Sequence, residues 1–126
     1  MIICDTNILI EFYKNNIQIV GELRNIGAHN LAVSVVSVAE LYFGALNKAE
    51  LGTLKKHLAS MNQLPMNVAV SNTFLNLMGT YSLSHKLSIP DALIAATAME
   101  YDFALFTLNL KDFRFIDRLQ LHNVTT

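Results

Sequence analysis

A single cysteine, Cys4, stands in the 126 residues, so no internal disulfide forms and the chain fits a reducing cytoplasm. Cys4 sits in an apolar run and reads as a core residue, not a nucleophile. No apolar run reaches the roughly 18 residues that a membrane-spanning helix needs. No basic stretch precedes an apolar segment at the N-terminus, so no signal peptide is expected. Charged residues make up only 15% against 52% apolar, which excludes a disordered chain and indicates a globular one. The net charge of −1 excludes a strongly basic nucleic-acid binder. His29, His57, His85 and His122 are scattered without pairing, so no zinc site is expected. Repeats, low-complexity segments and linkers are also missing. The length suits one domain over residues 1–126.

What is present alternates between strand and helix. Residues 1–5 (MIICD) read as a short buried strand ending in Asp5, with a helix after it through Ile8, Leu9 and Phe12. A polar break at 14–16 precedes a helix over 17–26, which Gly27 stops. Residues 31–36 (LAVSVV) read as a second strand. Ser37 to Glu40 then has a capping-box pattern, opening a helix through Leu41, Tyr42, Ala45 and Leu46. Residues 50–61 are amphipathic, with Leu51, Leu54 and Leu58 inward and Lys55, Lys56 and His57 outward. Residues 63–66 read as a connection through Pro65, and 70–85 as a helix. Residues 84–88 read as a polar loop.

Residues 89–98 (IPDALIAATA) begin a helix that runs to about 101. Pro90 suits its first turn, and Asp91 sits at its positive end. It is apolar nearly all round, so it is expected to be buried, and its small face permits close approach to a sheet. Residues 103–107 read as another buried strand, 107–113 as a polar turn with Asn109 and Asp112, and 119–121 as a last short strand. This alternation predicts an α/β fold with a parallel sheet. Ligand sites in such folds lie at the carboxyl ends of the strands.

Four acids are candidates for that edge: Asp5, Glu40, Asp91 and Asp112. Each has a structural alternative: a helix cap for Asp5, the capping box for Glu40, a helix N-terminal acid for Asp91, turn chemistry for Asp112. Clustered carboxylates repel, and a divalent cation relieves that repulsion. An all-oxygen donor set favours Mg²⁺ or Mn²⁺. Such an ion is suited to phosphodiester hydrolysis. With those four set aside, six acids remain against nine Lys and Arg, leaving the rest of the molecule at +3. That balance suits an anionic substrate.

The ordered set D-T-N at 5–7, V-S-V-A-E-L ending just past Glu40, P-D-A-L-I-A-A-T-A around Asp91 and T-L-N-L-K-D-F at 107–113 resembles the PIN-domain family. Within it, the chain looks like the VapC ribonuclease toxins of toxin–antitoxin pairs. The resemblance covers nearly the whole chain. It implies a PIN-like three-layer α/β/α sandwich with a central parallel sheet. It also implies Mg²⁺- or Mn²⁺-dependent RNA cleavage by water, leaving a 5′-phosphate and a 3′-hydroxyl. Asp5, Glu40 and Asp91 match the metal-binding acids of the family. The fourth position matches either Asn109 or Asp112. Thr6, Asn7 and Thr107 are implied as residues supporting those ligands. Where family members often carry Arg, this chain has Leu108. Lys48, Lys55, Lys56, Lys86, Lys111, Arg114 and Arg118 are candidates for RNA backbone contact. The implied partners are a VapB-like antitoxin, whose C-terminal segment enters the active-site groove, and a second copy of the chain. Tyr42, Phe43 and Leu46 suit either interface or the core.

Two other readings compete. One is a non-catalytic PIN domain acting as a binding or corepressor module, for which Asn109 and the near-neutral charge leave room. The other is a receiver domain or a haloacid-dehalogenase-like phosphatase. The first usually has adjacent acids after its first strand and the second D-x-D, and Asp5-Thr6-Asn7 is neither.

Overall fold

The computed structural model describes residues 1–124, so the last two residues of the expected 1–126 domain lie outside the described residues. Four short strands form one parallel sheet in the order β3-β2-β1-β4: β1 (Ile2–Cys4), β2 (Leu31–Ser34), β3 (Asn62–Leu64) and β4 (Ala104–Phe106). Among the described residues, six α-helices accompany them: α1 (Thr6–Tyr13), α2 (Ile17–Ile26), α3 (Val35–Phe43), α4 (Lys48–Ala59), α5 (Val68–His85) and α6 (Ile89–Tyr101).

The three layers follow from side-chain alternation along the strands. Ile3, Ala32 and Leu105 point to one face and pack with α5 and α6. Their neighbours Cys4, Val33 and Phe106 point to the other and pack with α1, α2, α3 and α4. Both faces are covered, which is why the central strands read as continuous apolar runs. Cys4 is fully buried, and burial with Asp5 beside it pushes its thiol up to about 12. It is therefore inert core, as its sequence context indicated.

Helix α6 bears out its sequence. Ser88 caps it, accepting from the Asp91 N–H at 3.2 Å, and Pro90 lies in the first turn. Ala92, Ile94, Ala95, Ala96, Thr97 and Ala98 are buried. The helix ends at Asp102, whose left-handed φ of 59° stops it. Because α6 feeds β4, it runs antiparallel to the strands. Its N-terminus therefore meets the carboxyl edge of the sheet, although α5, not a strand, precedes it.

Several expectations need correction. β2 ends at Ser34, and α3 begins at Val35, not Ser37. Ser34 is the cap and accepts from the Ser37 N–H at 3.1 Å, while Ser37 is buried inside the helix. Glu40 is thus no capping residue. The helix also stops at Phe43, so Ala45 and Leu46 lie beyond it. Part of the supposed connection at 63–66 is the edge strand β3, whose Asn62 donates to the Leu31 carbonyl at 2.9 Å. The last strand is a single parallel bridge between Leu105 and Leu121. His57 is not outward: it is half-buried, stacks on Phe12 and hydrogen-bonds the Tyr13 hydroxyl at 2.8 Å. Among the described residues, no helix is long and apolar enough to cross a membrane.

Candidate active site

Asp5 follows β1 directly and caps α1. It is 5% exposed, and both its oxygens are occupied. Oδ1 accepts from the Thr6 N–H at 2.8 Å and Oδ2 from the Thr107 hydroxyl at 2.7 Å. Its own N–H donates to the Phe106 carbonyl at 2.9 Å, which ties it to β4. Burial raises the Asp5 carboxyl above its ordinary value. The bonds from Thr107 and Thr6 oppose that, and repulsion from Glu40 and Asp112 adds to it.

Thr6 carries the site across to α3, donating its hydroxyl to Glu40 Oε1 at 2.7 Å. The same Thr6 oxygen lies 2.9 Å from Ser37 Oγ. Glu40 is exposed, so Thr6 provides the orientation that burial provides for Asp5. Asn7 and Thr107 fasten the turn after β4. Asn7 Oδ1 accepts from the Leu108 N–H at 3.3 Å, and Thr107 Oγ1 accepts from the Asn109 N–H at 3.0 Å. Thr6, Asn7 and Thr107 therefore all contact the acids or the loop beside them.

Asp91 completes the group from the N-terminus of α6. Burial is the main cause that pushes it up to about 6, and repulsion from Asp5, Asp112 and Glu40 contributes. The hydrogen bond of Ser88 pulls the other way. Asp112, half-buried in the short 3-10 turn Leu110–Asp112, acts on both. All four sequence-predicted acids thus share one electrostatic neighbourhood at the carboxyl edge. Asn109 is exposed, and its tie to the group is its backbone N–H.

The donors suit a hard divalent ion: all are oxygens, and the two best buried are held above their usual range by burial first and by mutual repulsion second, both of which a bound cation offsets. Among the described residues, no three Asp, Glu, His or Cys side chains form a ready-made metal cage.

A stability consequence follows from the sign of the Asp91 shift. An Asp whose folded pKa lies above its unfolded value stabilises the fold below about pH 4 and loses that contribution as pH rises through about 6. Without divalent ions, wild-type Tm should fall across that window relative to Asp91→Asn. At pH 7.5 the variant should melt about 3–5 °C higher, on the order of 1 kcal/mol after allowing for solvent screening. Adding Mn²⁺ should raise the wild-type Tm and close the gap. Matching pH profiles for the two proteins, followed by thermal unfolding, would contradict this.

Sequence reasoning missed two serines. Ser88 stands three residues before Asp91 in S-I-P-D, itself a capping-box pattern, so a signal for it existed. Ser37 had only its place in the discarded box. Two apolar grooves, of about 550 and 560 Å³, flank Glu40. Ile10, Leu41 and Leu54 line the first, and Val36, Phe43 and Leu93 the second. Phe43 and Leu46 are 94% and 85% exposed, so neither is core, and half-buried Tyr42 lies beneath Lys55. All seven candidate basic residues are exposed, and of these Lys86 and Lys111 line one concavity with Asp91 and Asp112.

Comparison with known proteins gives a consistent picture. The PIN domain family model matches residues 2–119. Ribonuclease VapC10 of Mycobacterium tuberculosis is 37% identical over 91 residues, covering 71% of this chain and 68% of that protein. VapBC-1 from nontypeable Haemophilus influenzae matches with a TM-score of 0.82 at 27% identity over 100% of both chains. VapBC2 from Rickettsia felis, bound to a DNA fragment from their promoter, matches with a TM-score of 0.83 at 25% identity over 98% of each chain.

Proposed function

We propose, since this chain belongs to the PIN-domain family, that it is a metal-dependent endoribonuclease and the toxin of a toxin–antitoxin pair. The observation that carries this reading is the convergence of acids from separate parts of the chain: Thr6 bonds both Asp5 and Glu40, and Asp91 and Asp112 line one concavity within electrostatic reach of Asp5. The named relatives agree with it: one is a ribonuclease, and the solved neighbours are VapBC assemblies.

Asp5, Glu40 and Asp91 would hold Mg²⁺ or Mn²⁺, with Asp112 rather than Asn109 as the fourth charge. The bound ion would activate a water molecule and neutralise the phosphate oxygens. The remaining work falls to the chain. Asp5 is fixed by Thr6 and Thr107, so its carboxylate enters the reaction without reorganising. Glu40, aimed by Thr6 and open to solvent, is placed to orient the attacking water. Asp91, held near 6 before metal binds, ionises readily at neutral pH. The products are a 5′-phosphate and a 3′-hydroxyl.

The partner would be a VapB-like antitoxin whose C-terminal segment occupies the grooves beside Glu40, where Phe43 is the most exposed apolar anchor. A homodimer of this PIN-like domain and residence in the cytoplasm accompany the reading. The test is cleavage of a broad RNA panel by the purified chain. Cleavage should require Mg²⁺ or Mn²⁺, stop with EDTA, and leave 5′-phosphate ends. Tight Mn²⁺ binding with no cleavage of any RNA would instead support a non-catalytic binding module, the reading that Asn109 favours.

A further inference from the structure

Beside the acids, and sharing no lining residue with the two Glu40 grooves, lies a smaller concavity of about 310 Å³. Its lining includes Asp91 and Asp112, and beside them His85, Lys86, Lys111 and Phe115. Two features set it apart. First, it holds two lysines next to two acids, yet among the described residues neither lysine forms an ion pair. Their charge is available to an anion. Second, its wall is a fixed flat ring. His85 is exposed and stacks on Phe115 at 4.1 Å and 9°, with Tyr81 edge-on at 5.6 Å. The Ser84 hydroxyl holds its Nδ1 at 2.8 Å.

We propose that this concavity is a nucleotide subsite, in which Lys86 and Lys111 hold the phosphodiester next to the one that is cut while His85 stacks the adjoining base. The assignment rests on the ribonuclease reading and adds to it a place for the RNA. A phosphate between two lysines and an exposed ring held by its neighbours are the two elements of single-strand recognition. The volume suits one nucleotide and not a duplex. The subsite also compensates for Leu108, which offers no cation to the phosphate.

Lys86 provides a clean variant. It ends α5 with φ 55° and ψ 37°, a left-handed conformation that glycine adopts at lower cost. Lys86→Gly therefore removes the charge without weakening the fold. The probe is a fluorescent, short, mixed-sequence single-stranded RNA, titrated by anisotropy in EDTA at several salt concentrations. Lys86→Gly and Lys111→Gln should each weaken binding about 3- to 10-fold and reduce the log–log salt slope by about 0.7. His85→Ala should weaken binding roughly 10-fold, and His85→Trp should restore it. Arg24→Gln, on α2, should bind as wild type. Wild-type affinity in all three subsite variants, or no RNA binding by the wild type, overturns the subsite. Weakened binding in the variants, with no metal-dependent cleavage by the wild type, overturns the nuclease reading and leaves the subsite standing.

Discussion

Asp5→Asn and Asp91→Asn are each expected to lower kcat/KM for RNA cleavage by about 10³-fold, roughly 4 kcal/mol of transition-state stabilisation. Both changes keep the side chain's shape while removing one charge, although at position 5 the amide nitrogen no longer accepts from the Thr107 hydroxyl. Asp5→Asn still caps α1, because its side-chain oxygen can accept from the Thr6 N–H as Asp5 does. Asp91→Asn should melt higher than wild type, so lost activity cannot be ascribed to unfolding. Glu40→Gln should cost less, about 10²-fold, because that carboxylate is exposed and retains its Thr6 bond. Full activity in a folded Asp91→Asn protein would sink the assignment.

The second large effect lies in the packing that delivers Asp91. Ala95, fully buried in α6, belongs to the core cluster that joins α5 and α6 to the sheet. Ala95→Leu adds three carbons where interiors have no room, at a cost of about 1–3 kcal/mol or more. Tm should fall by roughly 5–15 °C. The helix must shift to admit the side chain, and Asp91 moves with it. Cleavage should therefore drop about 10²-fold even well below the variant's Tm, since displacement by about 1 Å is enough. An Ala95→Leu protein with wild-type Tm and rate would show that the alanine face has no part in placing the acid.

Most of the candidate site was legible as a set of positions because its markers are local. Asp5 ends an apolar run, and the P-D-A pattern opens a helix whose composition announces burial. The errors came where tertiary contacts overrode local preference. Val35 and Val36 favour a strand, but β2 stops at Ser34 and both enter α3. Ser37 was read as the cap, but Ser34, three residues earlier, caps α3 and leaves Ser37 inside it, 2.9 Å from the Thr6 hydroxyl. β3 is three residues long, with two exposed polar members, so its periodicity carries no signal. His57 looked outward on a helical wheel, but α1 supplies Phe12 and Tyr13 to cover it. Phe43 and Leu46, read as suiting either an interface or the core, are exposed, Phe43 at the end of α3 and Leu46 beyond it. The meeting of the acids was the part no local pattern provides, because it depends on strand order.

That meeting is tested most directly by crystals of the protein soaked in Mn²⁺ and measured at an anomalously scattering wavelength. The expected result is an anomalous peak at the carboxyl edge of the sheet, within coordination distance of Asp5 and Asp91 and lost in Asp91→Asn crystals. Well-ordered wild-type crystals with no Mn²⁺ at that edge, or with the ion bound elsewhere while RNA is still cut, would contradict it.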